Sequence, residues 1–141
     1  MQTILVPVDG SEGAKRAARF AAYLASEIKT SVTLLHVYDT PTAAALGLAG
    51  QSKQEARATI ERVAQGSFES ARAEMAAFEV AVETVSEVGH PSQEIVGWAR
   101  DHHPLFIVMG TRGLSNVREA MMGSVSDYVT RHAVCPVMIH R

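Results

Sequence analysis

Short apolar runs alternate with longer segments of helical periodicity along this chain, and the alternation restricts the folds open to it. Three of the runs are TILVPV (Thr3–Val8), SVTLLHVY (Ser31–Tyr38) and LFIVMG (105–110). Continuous apolar runs are typical of parallel strands that crossover helices cover on both faces. The sequence therefore predicts a Rossmann-like, three-layer α/β sandwich with a mostly parallel sheet of about five strands.

The other predicted elements follow the same alternation. AVETVSEV (Ala81–Val88) is a third strand and CPVMIHR, at the end of the chain, is a last strand. A first helix begins after Ser11, a residue type that caps helix N-termini. The other three helices are predicted from Ser52 to about Phe78, from about Ser92, and over SVSDYVTRHA. Gly66 lies inside the second helix and is a candidate for a bend or a break.

The length and composition indicate one domain, residues 1–141, with a proper core. No apolar stretch approaches the roughly 20 residues that cross a bilayer, and the N-terminus lacks the basic and long apolar regions of a signal peptide. The single Cys135 excludes an internal disulfide framework and a zinc site built on paired cysteines. We interpret Cys135 as a small, partly buried filler, and we expect a cytoplasmic protein without a membrane partner.

The net charge of −2 argues against nucleic acid as a partner, because nucleic-acid binding usually needs a basic surface. The charge is unevenly distributed. Residues 110–141 carry a net charge of +2 and residues 1–109 carry −4. A locally positive segment in an acidic protein suits a small anionic ligand, although this signal alone is weak.

In sheets of this kind, ligands bind outside the carboxyl ends of the strands, at a topological switch point. Four residues fall at predicted strand ends: Asp9, Val37, Gly89 and Gly110. Asp9 is open to three interpretations, as a nucleotide contact, a magnesium ligand or the cap of the turn that follows it. The fold predicts where a site would lie and does not by itself establish one.

The stretch GTRGLSNVREAMMGS (Gly110–Ser124) follows the fourth strand and has glycines at two unusual spacings. Glycine lets a ligand or another backbone approach closely, and the first N–H groups of a helix starting near Ser124 attract anions. The loop lacks the lysine of a Walker A motif and the spacing of a dinucleotide fingerprint. Two readings stay open: a phosphate-binding loop, or a tight turn in which Ser124 only caps a helix.

The pattern G-2x-G-9x-G-[ST] after an apolar strand, followed by a Cys-Pro-Val strand, resembles the universal stress protein family. The resemblance includes ILVPVDGSEGAKRAARFA at the start, LLHV in the second strand and VGHPSQEIVGWA before the fourth. It covers nearly the whole chain and is least informative over Asp39–Met75. The chain departs from the family at Leu105, where members often have an acidic residue, and we expect this to affect packing more than binding.

The resemblance implies an ATP-binding member of the family, since the glycine pattern marks members that bind ATP. The cofactor implied is ATP, with or without Mg²⁺, under a flap formed by Leu114–Met122. Arg112 lies inside the loop and either approaches phosphate or faces solvent. Carried over by position, the site residues are Pro7, Val8, Asp9, Val37, Met109, Gly110, Arg112, Gly113, Gly123, Ser124, Val125 and Ser126.

No catalytic or metal-binding set is evident in the sequence. Ser124 has no obvious base, and no residue stands out to position a water for ATP hydrolysis. His36 is interpreted as a hydrogen-bonded core residue, and His102 and His103 as a solvated helix end. We therefore expect a protein without dedicated catalysis, in which slow ATP hydrolysis stays open. An enzyme of the wider adenine-nucleotide-handling group is disfavoured, because the loop Val8–Ser11 lacks the serine-glycine-rich sequence of its pyrophosphatases.

Two functions remain. The first is a nucleotide-responsive regulator in the stress response, whose regulatory protein partner is unknown. The alternative is a nucleotide-free protein-interaction module with the same fold. Family members commonly dimerise through the last strand, so a homodimer through Val137–His140 is expected. Backbone contacts to phosphate discriminate poorly, so the sequence does not separate ATP from ADP, AMP or cyclic AMP.

Overall fold

The computed structural model describes residues 2–39, 52–111 and 122–141, which form five strands and four helices. None of these helices is long and apolar enough to cross a membrane. The strands are β1 (Thr3–Pro7), β2 (Ser31–Asp39), β3 (Val82–Gly89), β4 (Phe106–Gly110) and β5 (Val137–His140). The helices are α1 (Glu12–Ile28), α2 (Lys53–Met75), α3 (Pro91–His102) and α4 (Ser124–His132).

All five strands lie in one parallel sheet with the order β3-β2-β1-β4-β5. Leu5 illustrates the central register, since it pairs with Thr33 of β2 on one side and Ile107 of β4 on the other. The chain builds outward from β1 through β2 to β3, then returns to build β4 and β5 on the opposite side. The topological switch point therefore lies between β1 and β4, and the predicted α/β sandwich is confirmed.

The helices cover the two faces of the sheet in pairs. α1 and α2 pack on one face, in a core that includes Phe68, Leu34 and a row of alanines from α1. α3 and α4 pack on the other face, in a core that includes Leu35 and Ile95. Adjacent residues of β2 thus point into different cores, because side chains alternate along a strand. This explains why the sequence shows continuous apolar runs.

The starts of α1 and α2 agree with the sequence prediction, and the structure also shows whether Gly66 breaks α2. Ser11 caps α1 and its Oγ accepts the N–H of Ala14 at 3.2 Å. Ser52 caps α2 in the same way, through the N–H of Glu55 at 3.1 Å. Gly66 causes no break, because α2 continues without interruption through it. Cys135 is partly buried against the second core, as predicted.

Candidate functional site

A cleft of about 620 Å³ lies at the carboxyl edge of the sheet, over the switch point. Its walls come from the ends of β1, β2 and β4, the first turns of α1 and α4, Pro91 and Ile95 of α3, and Val63 of α2. Ten of the residues predicted for the site line it: Pro7, Val8, Asp9, Val37, Met109, Gly110, Gly123, Ser124, Val125 and Ser126. The other two, Arg112 and Gly113, lie outside the described residues, as does the predicted flap except for Met122.

The exit of β1 is fixed by hydrogen bonds within and beyond its own turn. The N–H of Val8 donates to the carbonyl of Leu35 at 2.8 Å, and this bond closes the β1–β2 ladder at its last pair, Pro7 with Leu35. The carboxylate of Asp9 accepts the N–H of Ser11 at 3.0 Å. Gly10 has a φ of +86°, a conformation that glycine adopts without strain. Asp9 therefore does cap the turn, and its side chain is held at the edge of the cleft.

The start of α4 forms the opposite wall. The N-cap of this helix is Gly123, which has no side chain to satisfy the first N–H groups. The structural interpretation in which Ser124 caps the helix is therefore wrong, because Ser124 is the first helical residue. Opening N–H groups of a helix lack intrahelical acceptors, and those of Ser124 and Val125 lie at the cleft. The helix dipole adds a partial positive charge at the same place.

Ser126 ties the start of α4 to the exit of β4. Its Oγ lies 2.7 Å from the carbonyl oxygen of Thr111 and 3.0 Å from that of Gly123. The N–H of Gly123 also donates to the carbonyl of Thr111. These bonds bring the two ends of the glycine loop together at its base. They also show that the hydroxyl of Ser126 is engaged in structure, so that its backbone N–H is the group left to face an anion.

Sequence reasoning missed part of the cleft. Tyr38 and Asp39 end β2, and Pro91 begins α3, so the rule that ligands bind at strand ends would have found them. Val63 and Ile95 lie within helices, and no local signal marks them as cleft residues. The residues that line the cleft without having been predicted are Ser11, Ala14, Leu35, His36, Tyr38, Asp39, Val63, Pro91 and Ile95.

His36 is the buried histidine of this wall, with 5% of its surface exposed. Its Nδ1 lies 3.0 Å from the carbonyl oxygen of Val8, so the predicted hydrogen-bonded core residue is confirmed. Burial lowers the pKa of His36 below its ordinary value, and the hydrogen bond to Val8 and the carboxylate of Asp9 oppose this only in part. The ring is therefore neutral at neutral pH.

Two other histidines, His102 and His132, pack against an aromatic residue of their own helix. His102 is exposed at the end of α3, stacks on Trp98 with ring centroids 4.0 Å apart, and donates to its carbonyl. His132 makes the equivalent stack and hydrogen bond with Tyr128. Among the described residues, no group of three histidine, cysteine or acidic side chains is arranged to hold a metal ion.

A doubly wound α/β domain with a cleft at its switch point belongs to a broad class of proteins whose ligand sites lie at strand ends. Within that class, the chain belongs to the universal stress protein family, whose family model matches residues 1–141. The resemblance read from the sequence is thereby confirmed. The universal stress protein YxiE of Bacillus subtilis is 32% identical over 144 residues, which covers 98% of this chain and 97% of that protein.

Two solved structures are similar over nearly their whole length. MJ0577, a universal stress protein of Methanocaldococcus jannaschii, superposes with a TM-score of 0.81 at 28% identity, covering 98% of this chain and 94% of the other. The universal stress protein from Archaeoglobus fulgidus in complex with dAMP has a TM-score of 0.70 at 25% identity, covering 100% and 98%. An adenine nucleotide is therefore the ligand of one protein that this chain resembles.

Proposed function

We propose that the cleft binds an adenine nucleotide, and specifically ATP, with or without Mg²⁺. The observation that carries the proposal is the convergence of the β1, β2 and β4 exits and the uncapped start of α4 on one cleft of about 620 Å³. That volume suits a ligand of nucleotide size. The complex of the Archaeoglobus fulgidus relative with dAMP supports the same ligand class.

The phosphates bind at the start of α4. Backbone N–H groups of Ser124, Val125 and Ser126 point out of the helix, and no side chain at Gly123 competes for them. Anion binding at helix N-termini rests on these N–H groups and on the helix dipole. Gly110, Arg112 and Gly113 complete the phosphate site in this proposal, as the family pattern implies.

The adenosine end binds between the exits of β1 and β2. Val37 and Met109 belong to the core on the α3 and α4 face and also line the cleft, so they offer an apolar surface to the base. Pro7 and Val8 form the adjoining wall at the end of β1. Asp9 contacts the ribose, whose hydroxyl groups are donors that a carboxylate accepts.

The function that follows is a cytoplasmic, nucleotide-responsive regulator in the stress response, without dedicated catalysis. Bound ATP changes the conformation of the flap Leu114–Met122. This alters a surface that a regulatory protein recognises. Hydrogen exchange measured across residues 114–122 tests this step. We expect slower exchange with saturating ATP, and equal exchange rates with and without ATP would contradict the regulatory step. The protein acts as a homodimer joined through β5.

Ligand binding is tested with two variants of Ser124, which lines the cleft at the proposed phosphate site. Ser124→Asp places a negative charge at the first position of α4, where it stabilises the helix and repels phosphate. Ser124→Asn is the matched neutral control. Co-purified nucleotide is first extracted and identified, and binding of ATP and of adenosine is then measured by calorimetry without Mg²⁺.

We expect ATP to bind to the wild type and to Ser124→Asn with similar affinity, and at least about tenfold more weakly to Ser124→Asp, equivalent to about 1.4 kcal/mol. Adenosine should bind all three proteins alike, because it has no phosphate. In thermal unfolding, ATP at one hundred times its Kd adds about 2.7 kcal/mol, or roughly 5–10 °C for a domain of this size. A wild type that binds no ATP and carries none after purification would support the alternative, a nucleotide-free interaction module.

A further inference from the structure

Val8 is held by β2 through both of its backbone polar groups. Its N–H donates to the carbonyl of Leu35 at 2.8 Å, and its carbonyl oxygen lies 3.0 Å from Nδ1 of His36. A carbonyl oxygen only accepts hydrogen bonds, so Nδ1 of His36 carries the proton. Val8 is the first residue after β1 and lines the cleft. The side chain of His36 thus replaces the strand ladder where the ladder ends.

The other nitrogen of the ring has no such role. Nε2 of His36 is buried and has no hydrogen-bond partner among the described residues. Phe68 of α2 packs against the ring at an interplanar angle of 82°, with centroids 6.3 Å apart. The side chain of Phe68 has no nitrogen or oxygen atom that could accept a second N–H. The surroundings therefore favour one form of His36, the neutral ring with its proton on Nδ1.

The charged and titratable groups around His36 are few in the described part of the chain. Asp9, after β1, is the one whose charge acts on the ring. On β2 itself, Tyr38 lies two residues away, and its buried hydroxyl has no hydrogen-bond partner among the described residues. On β3 the residue paired with His36 is Ser86, which carries no charge. On α2, Phe68 packs against the ring and carries no charge.

We propose that His36 is a positioning residue for the nucleotide: its Nδ1–H holds the carbonyl of Val8 and so fixes the wall that Pro7, Val8 and Asp9 present to the ligand. The inference rests on the proposed function for its effect on affinity. His36 acts through Val8, because its Nδ1 is bonded to the Val8 carbonyl and its Nε2 is buried. Loss of the Nδ1–H donor frees the exit of β1, and the turn that carries Asp9 loses its fixed position.

Two substitutions separate the donor from the ring. In His36→Asn the side-chain amide places an N–H near the position of Nδ1, so the bond to Val8 is retained. His36→Leu keeps the apolar bulk and removes the donor. We expect ATP affinity to fall at least about tenfold in His36→Leu and to stay within about threefold of the wild type in His36→Asn. Equal ATP affinity of His36→Leu and the wild type, with both folded, would overturn the proposal.

The nucleotide-free protein gives a test that does not depend on ATP binding or on any variant. Nitrogen-15 spectra of the His36 ring at pH 7.5 should show the neutral form with the proton on Nδ1. A ring protonated on Nε2 would overturn the proposal even if ATP binds. If instead the wild type binds no nucleotide while the ring shows the Nδ1–H form, the proposed function fails, but the hydrogen bond from His36 to the carbonyl of Val8 is confirmed.

Discussion

Gly110, the last residue of β4, lies directly against the backbone of Gly13 in the first turn of α1. A Cβ atom at position 110 would sit 3.0 Å from the carbonyl carbon of Gly13 and 3.1 Å from its oxygen. Backbone atoms cannot move aside as the end of a side chain can. The absence of a side chain at Gly110 thus lets α1 begin close to the exit of β4, at the switch point where the cleft lies.

Gly110→Ala should destabilise the protein, because the added methyl group meets backbone on α1. Overpacking of this kind reduces the free energy of unfolding by about 1–3 kcal/mol. Urea unfolding followed by circular dichroism measures the change. Since the methyl group also displaces the first turn of α1, a weaker affinity for ATP should accompany the lost stability.

Gly66→Ala is the matched control, the same substitution in the interior of α2. No atom lies within 4 Å of a Cβ built at this position, and the residue is exposed. Alanine is favoured over glycine in a helix by roughly 0.5–1 kcal/mol, so this variant should be more stable than the wild type. If both glycine variants changed stability in the same direction, the close approach of Gly110 to Gly13 would not be the cause.

Gly110 and Gly66 show which features of the structure a sequence pattern can predict and which it cannot. The fold was predictable because apolar runs and helical periods alternate along most of the chain, and β1, β2 and β4 all show the same continuous apolar pattern. Gly66 was a candidate for a break, yet packing of Phe68 and Met75 in the core outweighs the small preference against glycine in a helix. The contact between Gly110 and Gly13 joins residues far apart in sequence, so no local pattern could predict it.

The stability of the protein should decrease in acid in a way that depends on His36. Burial lowers the folded-state pKa of His36 below its ordinary value of 6.5. Below pH 6.5 the unfolded chain therefore binds a proton that the folded protein does not, which favours unfolding. The contribution of His36 is fully present above pH 6.5 and is lost as the pH falls through the lower, folded-state pKa.

Urea unfolding at several pH values between 7.5 and 4.5 tests this dependence, with His36→Asn as the comparison. The other histidines and the carboxylates titrate in both proteins, so only the difference between the curves reports on position 36. We expect the wild type to lose more stability on acidification than His36→Asn. Curves that stay parallel down to pH 4.5 would show that His36 is not buried in its neutral form.

The two edge strands allow the proposed dimer to be tested with matched substitutions. β3 and β5 form the edges of the sheet, and unpaired strand edges tend to associate. Met138 of β5 is 38% exposed and Val88 of β3 is 51% exposed. Light scattering at tens of micromolar should give a dimer mass for the wild type and for Val88→Lys, and a largely monomeric mass for Met138→Lys. A wild-type monomer, or a dimer that only Val88→Lys disrupts, would contradict association through β5.

Part of the candidate site was predictable, namely the residues at strand ends and in the glycine loop. The residues contributed by helix interiors were not. The strand ends and the glycine spacing placed residues such as Val37 and Ser124 at one edge of the sheet, because parallel strands all end on the same side. Contributions from helix interiors, such as Val63 and Ile95, depend on how each helix lies across the sheet. The bond between His36 and Val8 likewise follows from the register of β1 with β2, which the sequence does not reveal.

Titration of nitrogen-15-labelled, nucleotide-free protein with ATP, followed through backbone amide shifts, tests whether ATP occupies the cleft with its phosphates at the start of α4. We expect large, saturable shifts at Ser124–Ser126, Asp9 and Val37, and little change at the opposite edge of the sheet, where Thr3 and Ser31 lie. Amide shifts that stay unchanged across the cleft, or that concentrate at the opposite edge, would contradict this placement of ATP.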